Sequence, residues 1–305
     1  MALHIVNSGN DLPPDLLAAA RGLKPGRPVI VMIHGYRFCP ASPAHDPHQH
    51  ILSLTPGTRS RRAMSWPAAL GLSAHGPEGL GVAFGWRARG PLREAYARAG
   101  LAGRDLARLA SALSDASGRP VHLIGHSLGG RVALEAMRRA APGEIGRLIL
   151  LSAAELRGRA ERALDAPASA AAEIINVTSR ENDLFDFGLE LMIGRMRRPA
   201  LGLGLPTPRA NWLDIQIDDP ATRRGLAALG YEIAPGAQRA CHWSAYLREG
   251  VFALYRAALH RPAELPLALL RQHLPQRPLP RWSRLLSPPA LPRLQIGLRP
   301  GAGAV

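Results

Sequence analysis

One serine stands at the sharpest change of pattern in this chain. The run Val121-His122-Leu123-Ile124 is short, apolar and rich in β-formers, and it meets Gly125-His126-Ser127-Leu128-Gly129-Gly130. Behind it Val132, Leu134, Ala136 and Met137 recur as they would along a helix over 131–141. A strand therefore has to become a helix within a few residues, with Ser127 at the corner. So tight a turn forces the corner residue into a backbone conformation few side chains accept. Any neighbour with a Cβ would collide with it, which accounts for glycine at 125 and 129. The hydroxyl then projects above the sheet edge, and the helix start leaves backbone N–H groups free to face a developing negative charge.

The rest of the chain repeats the alternation. Residues 28–33, 81–86, 147–151 and 173–178 are nearly continuous apolar runs, the pattern of strands buried on both faces, and 211–218 alternates as a further strand. A short first strand is expected over 2–7. Helical spacing covers 15–21, 93–116, 156–164 and 245–259. In the second of these Leu101, Leu106, Leu109, Ala110 and Leu113 are read as one face and Gly118 as its stop. Strands and helices alternating at this interval predict right-handed βαβ units, hence an α/β fold with a mostly parallel central sheet flanked by helices. With 305 residues and 47% hydrophobic content the chain can bury a full core. One domain over 1–260 and a Pro/Arg-rich C-terminal tail over 261–305 are expected. Segments such as Pro278-Leu279-Pro280-Arg281-Trp282 and Ser287-Pro288-Pro289 argue against any regular element in that tail. Its Leu285, Leu286, Leu291, Leu294 and Ile296 leave open whether it packs along a surface or stays disordered.

The stretch Gly125-His126-Ser127-Leu128-Gly129-Gly130 resembles the nucleophile elbow of the α/β-hydrolase family, in particular its esterase and lipase branch. That resemblance implies a catalytic triad in the chain order serine, acid, histidine, and an oxyanion loop after an earlier strand. His34-Gly35-Tyr36, at the end of 28–33, resembles such a loop, with the N–H groups of Tyr36 and Leu128 as the oxyanion donors. The loop Ser179-Arg180-Glu181-Asn182-Asp183 resembles the family's acid loop and makes Asp183 the candidate acid. Asp186 and Glu181 compete with it, and Asp183 would equally serve as a helix cap. His242 lies where the family places its general base, before the closing helix. His260 falls at the far end of that helix, His273 lies in the tail, and His126 is expected to point away. What the resemblance implies is a serine hydrolase of carboxylic esters working through an acyl-enzyme, with no cofactor. An acyltransferase or thioesterase on the same fold, or a non-catalytic hydrolase-fold binding protein, is the alternative.

Charge and composition bear on the partners. The net charge of +15 would ordinarily suggest nucleic acid, but Lys24 is the only lysine and the arginines scatter through the helices. Nucleic acid is therefore not expected, and a small-molecule or lipid ester is. His45, Asp46, His48 and His50 crowd one stretch, yet no second ligand cluster matches them and Pro47 suggests a surface turn, so no metal is expected. Cys39 and Cys241 are too few for a disulfide framework and read as incidental thiols in a reducing compartment. Asp11 and Asp15 argue against a signal peptide and no run is long enough to span a membrane, so a cytoplasmic protein is expected. The long segments 37–77 and 195–209 are Pro-rich and weakly periodic, and the first is expected to cover or shape the substrate site.

Overall fold

The computed structural model describes residues 3–57, 64–72, 78–236 and 238–286. Their strands are β1 (Leu3–Asn7), β2 (Val29–Ile33), β3 (Leu80–Gly85), β4 (Val121–His126), β5 (Ile145–Leu151), β6 (Glu173–Thr178) and β7 (Trp212–Gln216). All pair in parallel in the order β1-β3-β2-β4-β5-β6-β7, which puts β4 at the centre. The α-helical segments are α1 (Pro14–Arg21), α2 (Trp66–Ala69), α3 (Leu92–Ser117), α4 (Leu128–Met137), α5 (Arg157–Leu164) and α6 (Asp183–Leu189). They continue with α7 (Pro220–Ala228), α8 (Ser244–Leu247), α9 (Val251–His260), α10 (Leu267–His273) and α11 (Ser283–Leu286).

The sheet has two buried faces because its central strands are apolar on both. β2, β3 and β4 bury every residue. Successive side chains then feed opposite layers: Val29, Val31 and Ile33 join one apolar cluster, Ile30 and Met32 the other. Helices α1, α3, α4 and α5 cover the first face, and α2, α7, α8, α9 and α10 the second. This is the α/β-hydrolase fold, and it gathers the ends of β2, β4 and β6 along one edge, where parallel sheets place their ligand sites.

Four local expectations are corrected. Leu101 is 56% exposed, because it shares a face of α3 with the exposed Arg104 and Arg108 and not with Leu106 and Leu109. The helix after the serine begins at Leu128 and ends at Met137, and the closing helix is split into α8 and α9. The region past Arg261 is not devoid of regular structure. α10 forms there because Pro266 precedes it and Pro275 follows it, leaving a proline-free interior whose Leu267 and Leu270 join the core. Residues 275–286 run back along the domain, while Ser287-Pro288-Pro289, Leu291, Leu294 and Ile296 lie outside the described residues, as do Ala2, 58–63 and 73–77. Among the described residues no helix is long and apolar enough to cross a membrane.

Candidate active site

Ser127 ends β4 with φ 55° and ψ −123°, a conformation non-glycine residues rarely adopt. The surrounding backbone holds it there. Its N–H donates to the Leu151 carbonyl at 3.0 Å, and its own carbonyl accepts from Gly130 N–H at 3.0 Å and Ala154 N–H at 2.9 Å. A Cβ at Gly125 would stand 2.6 Å from the Gly129 carbonyl oxygen, and one at Gly129 2.6 Å from that of His34. Both glycines are thus required by close backbone approach, and α4 begins immediately behind the serine, so the Leu128 N–H opens a helix and has no acceptor within it.

Gly35 presses on the same corner from β2. A Cβ there would lie 2.7 Å from Ser127 Cβ and 2.8 Å from the His126 carbonyl oxygen. His34 holds this loop in place. Trp86 N–H donates to His34 Nε2 at 3.0 Å, which makes Nδ1 the protonated nitrogen, and Nδ1 donates to the Gly35 carbonyl at 3.0 Å. The Trp86 indole N–H donates to the His34 carbonyl at 3.1 Å. Because a trans peptide is planar, a Gly35 carbonyl turned toward His34 turns the Tyr36 N–H the other way. Burial keeps His34 neutral by lowering its pKa to about 3. The Tyr36 side chain points elsewhere, its hydroxyl donating to the Gly90 carbonyl at 2.6 Å.

His242 lies against the elbow. Its backbone carbonyl accepts from His126 Nε2–H at 3.0 Å, and the two rings are 4.6 Å apart. His126 therefore faces His242, contrary to the expectation that it points away. A residue ending a strand beside the corner has one free direction, toward the loop that closes over it. Phe185 stacks on the other side of His242 at 4.7 Å and 24°. Burial, with His126 second, pushes the His242 pKa well below its usual value, so the ring is neutral at neutral pH.

The residue at His242 Nδ1 is Asn182, whose Oδ1 accepts at 2.6 Å. Asp183 is not there. Its carboxylate accepts from the Trp282 N–H at 2.7 Å and sits 3.3 Å from Arg180 Nη1. The difference is one residue of helix geometry: Asn182 caps α6 and Asp183 begins it, so consecutive side chains leave in different directions. Glu181 is engaged by Arg248 Nη2 at 2.7 Å and faces Arg284 Nη2 at 3.6 Å. Asp186 reaches the cluster indirectly, accepting at Oδ1 from Asn182 Nδ2 at 3.0 Å. Burial raises its pKa to about 7 against the pull of Arg180. Sequence reasoning located this loop but missed Asn182. The available signal was its position at the helix boundary, where a one-residue shift exchanges an acid for its amide.

Among the described residues no three His, Cys, Asp or Glu side chains converge as metal ligands. In the histidine-rich stretch Asp46 caps a short turn through His48 N–H, and His48 Nε2 contacts Asn7 Oδ1 at 2.9 Å. Cys39 and Cys241 are free thiols.

No protein-family model matches the chain, and no curated protein matches it in sequence. Solved structures do resemble it. A lipase of Bacillus licheniformis in mature form is 14% identical, covering 63% of this chain and 84% of that one, with a TM-score of 0.37. Lipase B of Aspergillus fumigatus is 15% identical over 88% of this chain and 64% of that one, at a TM-score of 0.40. A carboxylesterase of Bacillus subtilis is 11% identical over 81% and 84%, at 0.30.

Proposed function

We propose that this chain hydrolyses carboxylic esters with Ser127 as nucleophile and His242 as general base. The observation that carries the reading is the strained serine corner with the Gly35 loop pressed against it and a neutral histidine docked beside it. A backbone held at such a φ stores strain, and strain at a tight turn between a central strand and a helix supports a functional role.

His242 takes the hydroxyl proton on Nε2 as Ser127 Oγ bonds to the ester carbonyl carbon. The N–H groups of Tyr36 and Leu128 receive the negative charge on the carbonyl oxygen. As the tetrahedral intermediate collapses, His242 returns the proton to the departing alcohol. Water, deprotonated by the same ring, then releases the acid and restores Ser127. Asn182 holds Nδ1–H, which keeps the lone pair on Nε2. No metal or organic cofactor enters this scheme.

Leu184, Phe185, Phe187, Leu191 and Met192 are exposed on the segment that carries Phe185 onto His242. An apolar surface of this kind beside the base suits an ester with an apolar acyl or alkyl group.

The test is covalent labelling with a fluorophosphonate, which captures an activated serine without knowledge of the substrate. Wild type should label, and Ser127→Ala and His242→Ala should not. With a turned-over ester, Ser127→Ala should lower kcat on the order of a millionfold. A folded wild-type protein that stays unlabelled would overturn the proposal in favour of a hydrolase-fold binding protein.

A further inference from the structure

We infer that Asp186 is a positioning residue that sets the tautomer of His242 through the side-chain amide of Asn182. The inference rests on the serine-hydrolase reading, since it concerns how the base of that reaction is kept competent.

The geometry is a continuous chain of side-chain hydrogen bonds. His242 Nδ1 meets Asn182 Oδ1 at 2.6 Å, and Asn182 Nδ2 meets Asp186 Oδ1 at 3.0 Å. An ionised carboxylate only accepts, so it draws the NH2 end of Asn182 toward itself and leaves the carbonyl end for His242. A carbonyl can only accept, so Nδ1 must carry the hydrogen and Nε2 the lone pair. Asp186 thereby dictates, two bonds away, which nitrogen of His242 can take the proton of Ser127. No carboxylate bonds His242 directly among the described residues, which leaves the amide as the link.

Asp186 is itself held in a closed place. It is 2% exposed, and the Cα of Gly202 packs so tightly on its carboxyl group that a Cβ there would overlap Oδ2. Oδ2 has no hydrogen-bond partner, so the Asn182 amide is the one hydrogen-bond donor this carboxylate has among the described residues. The charged groups around it come from three directions: Arg180 from the turn before α6, Asp183 from α6 itself and Arg281 from the segment 275–286. Arg281 is shared with Glu190 at 2.7 Å. His126 is the charged-capable neighbour on the His242 side.

Protonation inverts the chain. A proton on the buried, partnerless Oδ2 would be an unsatisfied donor, so a neutral Asp186 carries its O–H on Oδ1 and donates to Asn182 Oδ1; the amide turns over, and its NH2 faces His242. Nδ1 then has to accept, the ring hydrogen moves to Nε2, and the base has no lone pair for Ser127. Burial brings this titration to about pH 7, while His242 titrates well below it. The acid limb of activity therefore belongs to Asp186, with activity rising as pH rises through about 7.

The experiment is the pH dependence of fluorophosphonate labelling from pH 5.5 to 8.5 in wild type, Asp186→Asn and Asp186→Leu, with ring-nitrogen NMR of His242 in the wild type. Wild-type labelling should rise about thirtyfold across that range, and Asp186→Asn, whose amide does not titrate, should give a flat profile. Asp186→Leu, which removes the acceptor, should lower kcat about 100-fold or more with KM within about twofold. The NMR should show hydrogen on Nδ1 at pH 8 and on Nε2 at pH 6. Wild-type labelling whose limb survives in Asp186→Asn, or a His242 tautomer that does not change with pH, overturns the relay and leaves the hydrolase reading intact. Wild type that labels at no pH overturns both.

Discussion

At the scale of single residues, the position next to His242 is occupied by an amide and not an acid. An asparagine can fix an imidazole tautomer as an aspartate does, but it brings no charge to offset the imidazolium that the proposed acyl transfer forms. Truncating it with Asn182→Ala should lower kcat roughly 1,000- to 10,000-fold with little change in KM, the size of effect a lost tautomer produces. Steady-state kinetics on a soluble ester checks this. Asp183→Asn should do the opposite, leaving kcat within about threefold while removing about 1–3 kcal/mol of stability in urea unfolding, because it weakens the contacts to Arg180 and the Trp282 N–H. Equal losses of kcat in the two variants would argue against the assignment of Asn182. The serine corner and the His34-Gly35-Tyr36 loop were legible in the sequence because glycines report backbone crowding directly. Asn182 was not, because which of two adjacent residues caps a helix depends on a backbone angle and leaves no compositional mark. The orientation of His126 was hidden for the same reason, since it depends on a loop more than 100 residues later closing over it.

At the scale of elements, the strands were legible and the helices less so, for a physical reason. A strand covered on both faces is mostly apolar: β2 is apolar throughout, and β4, β5 and β6 are apolar runs interrupted by a few polar residues such as His122, Arg147 and Asn176. A helix buries only a stripe, so a one-residue error in phase puts Leu101 on the wrong face of α3. Proline counting misjudged α10 because the count ignores position, and prolines at the ends of a helix delimit it. On the proposed reading, the element whose surface bears most on substrate is α6 with the turn that follows. It buries Asp186 and Leu189 while exposing Leu184, Phe187, Leu191 and Met192. If this face receives the apolar part of the ester, Leu191→Ser combined with Met192→Ser should raise KM for long-chain esters about tenfold. The same change should leave short-chain kcat/KM within about twofold. A chain-length series of chromogenic esters separates the two, and a uniform loss across all lengths would place the acyl group elsewhere.

At the scale of the whole molecule, buried histidines link the active-site edge to acid stability. Burial lowers the pKa of His34 to about 3 and those of His122 and His126 to about 4, and holds His242 well below its usual value. In the unfolded chain each titrates near the ordinary value of about 6.5. Between about pH 6.5 and 4 the unfolded state thus binds protons that the folded state refuses, and stability must fall as pH falls. Asp186 acts in the opposite sense, because its folded pKa of about 7 exceeds its unfolded one, so below pH 7 the folded state holds a proton the unfolded state has released. Burial raises Asp183 and Asp214 in the same sense as Asp186, but it lowers His48, His50 and His260 as well, so three carboxyls stand against seven histidines and the histidines stay ahead. The net charge of +15, which grows as further groups protonate, pushes the same way by self-repulsion. Thermal unfolding followed by circular dichroism should therefore give a Tm nearly constant from pH 8 to 7 that falls continuously from pH 6.5 to 4. Each unopposed histidine contributes up to about 1.4 kcal/mol per pH unit to that slope. His122 provides the internal control, since it lies at the far end of β4 from Ser127 and accepts the Arg147 N–H at 2.9 Å. His122→Gln, which keeps an acceptor but cannot titrate, should shallow the acid slope by about one proton while leaving fluorophosphonate labelling at pH 8 within about twofold. A Tm that stays flat from pH 7 to 4.5 would show that these rings are protonated inside the fold, and the neutral base on which the hydrolytic scheme depends would lose its footing with them.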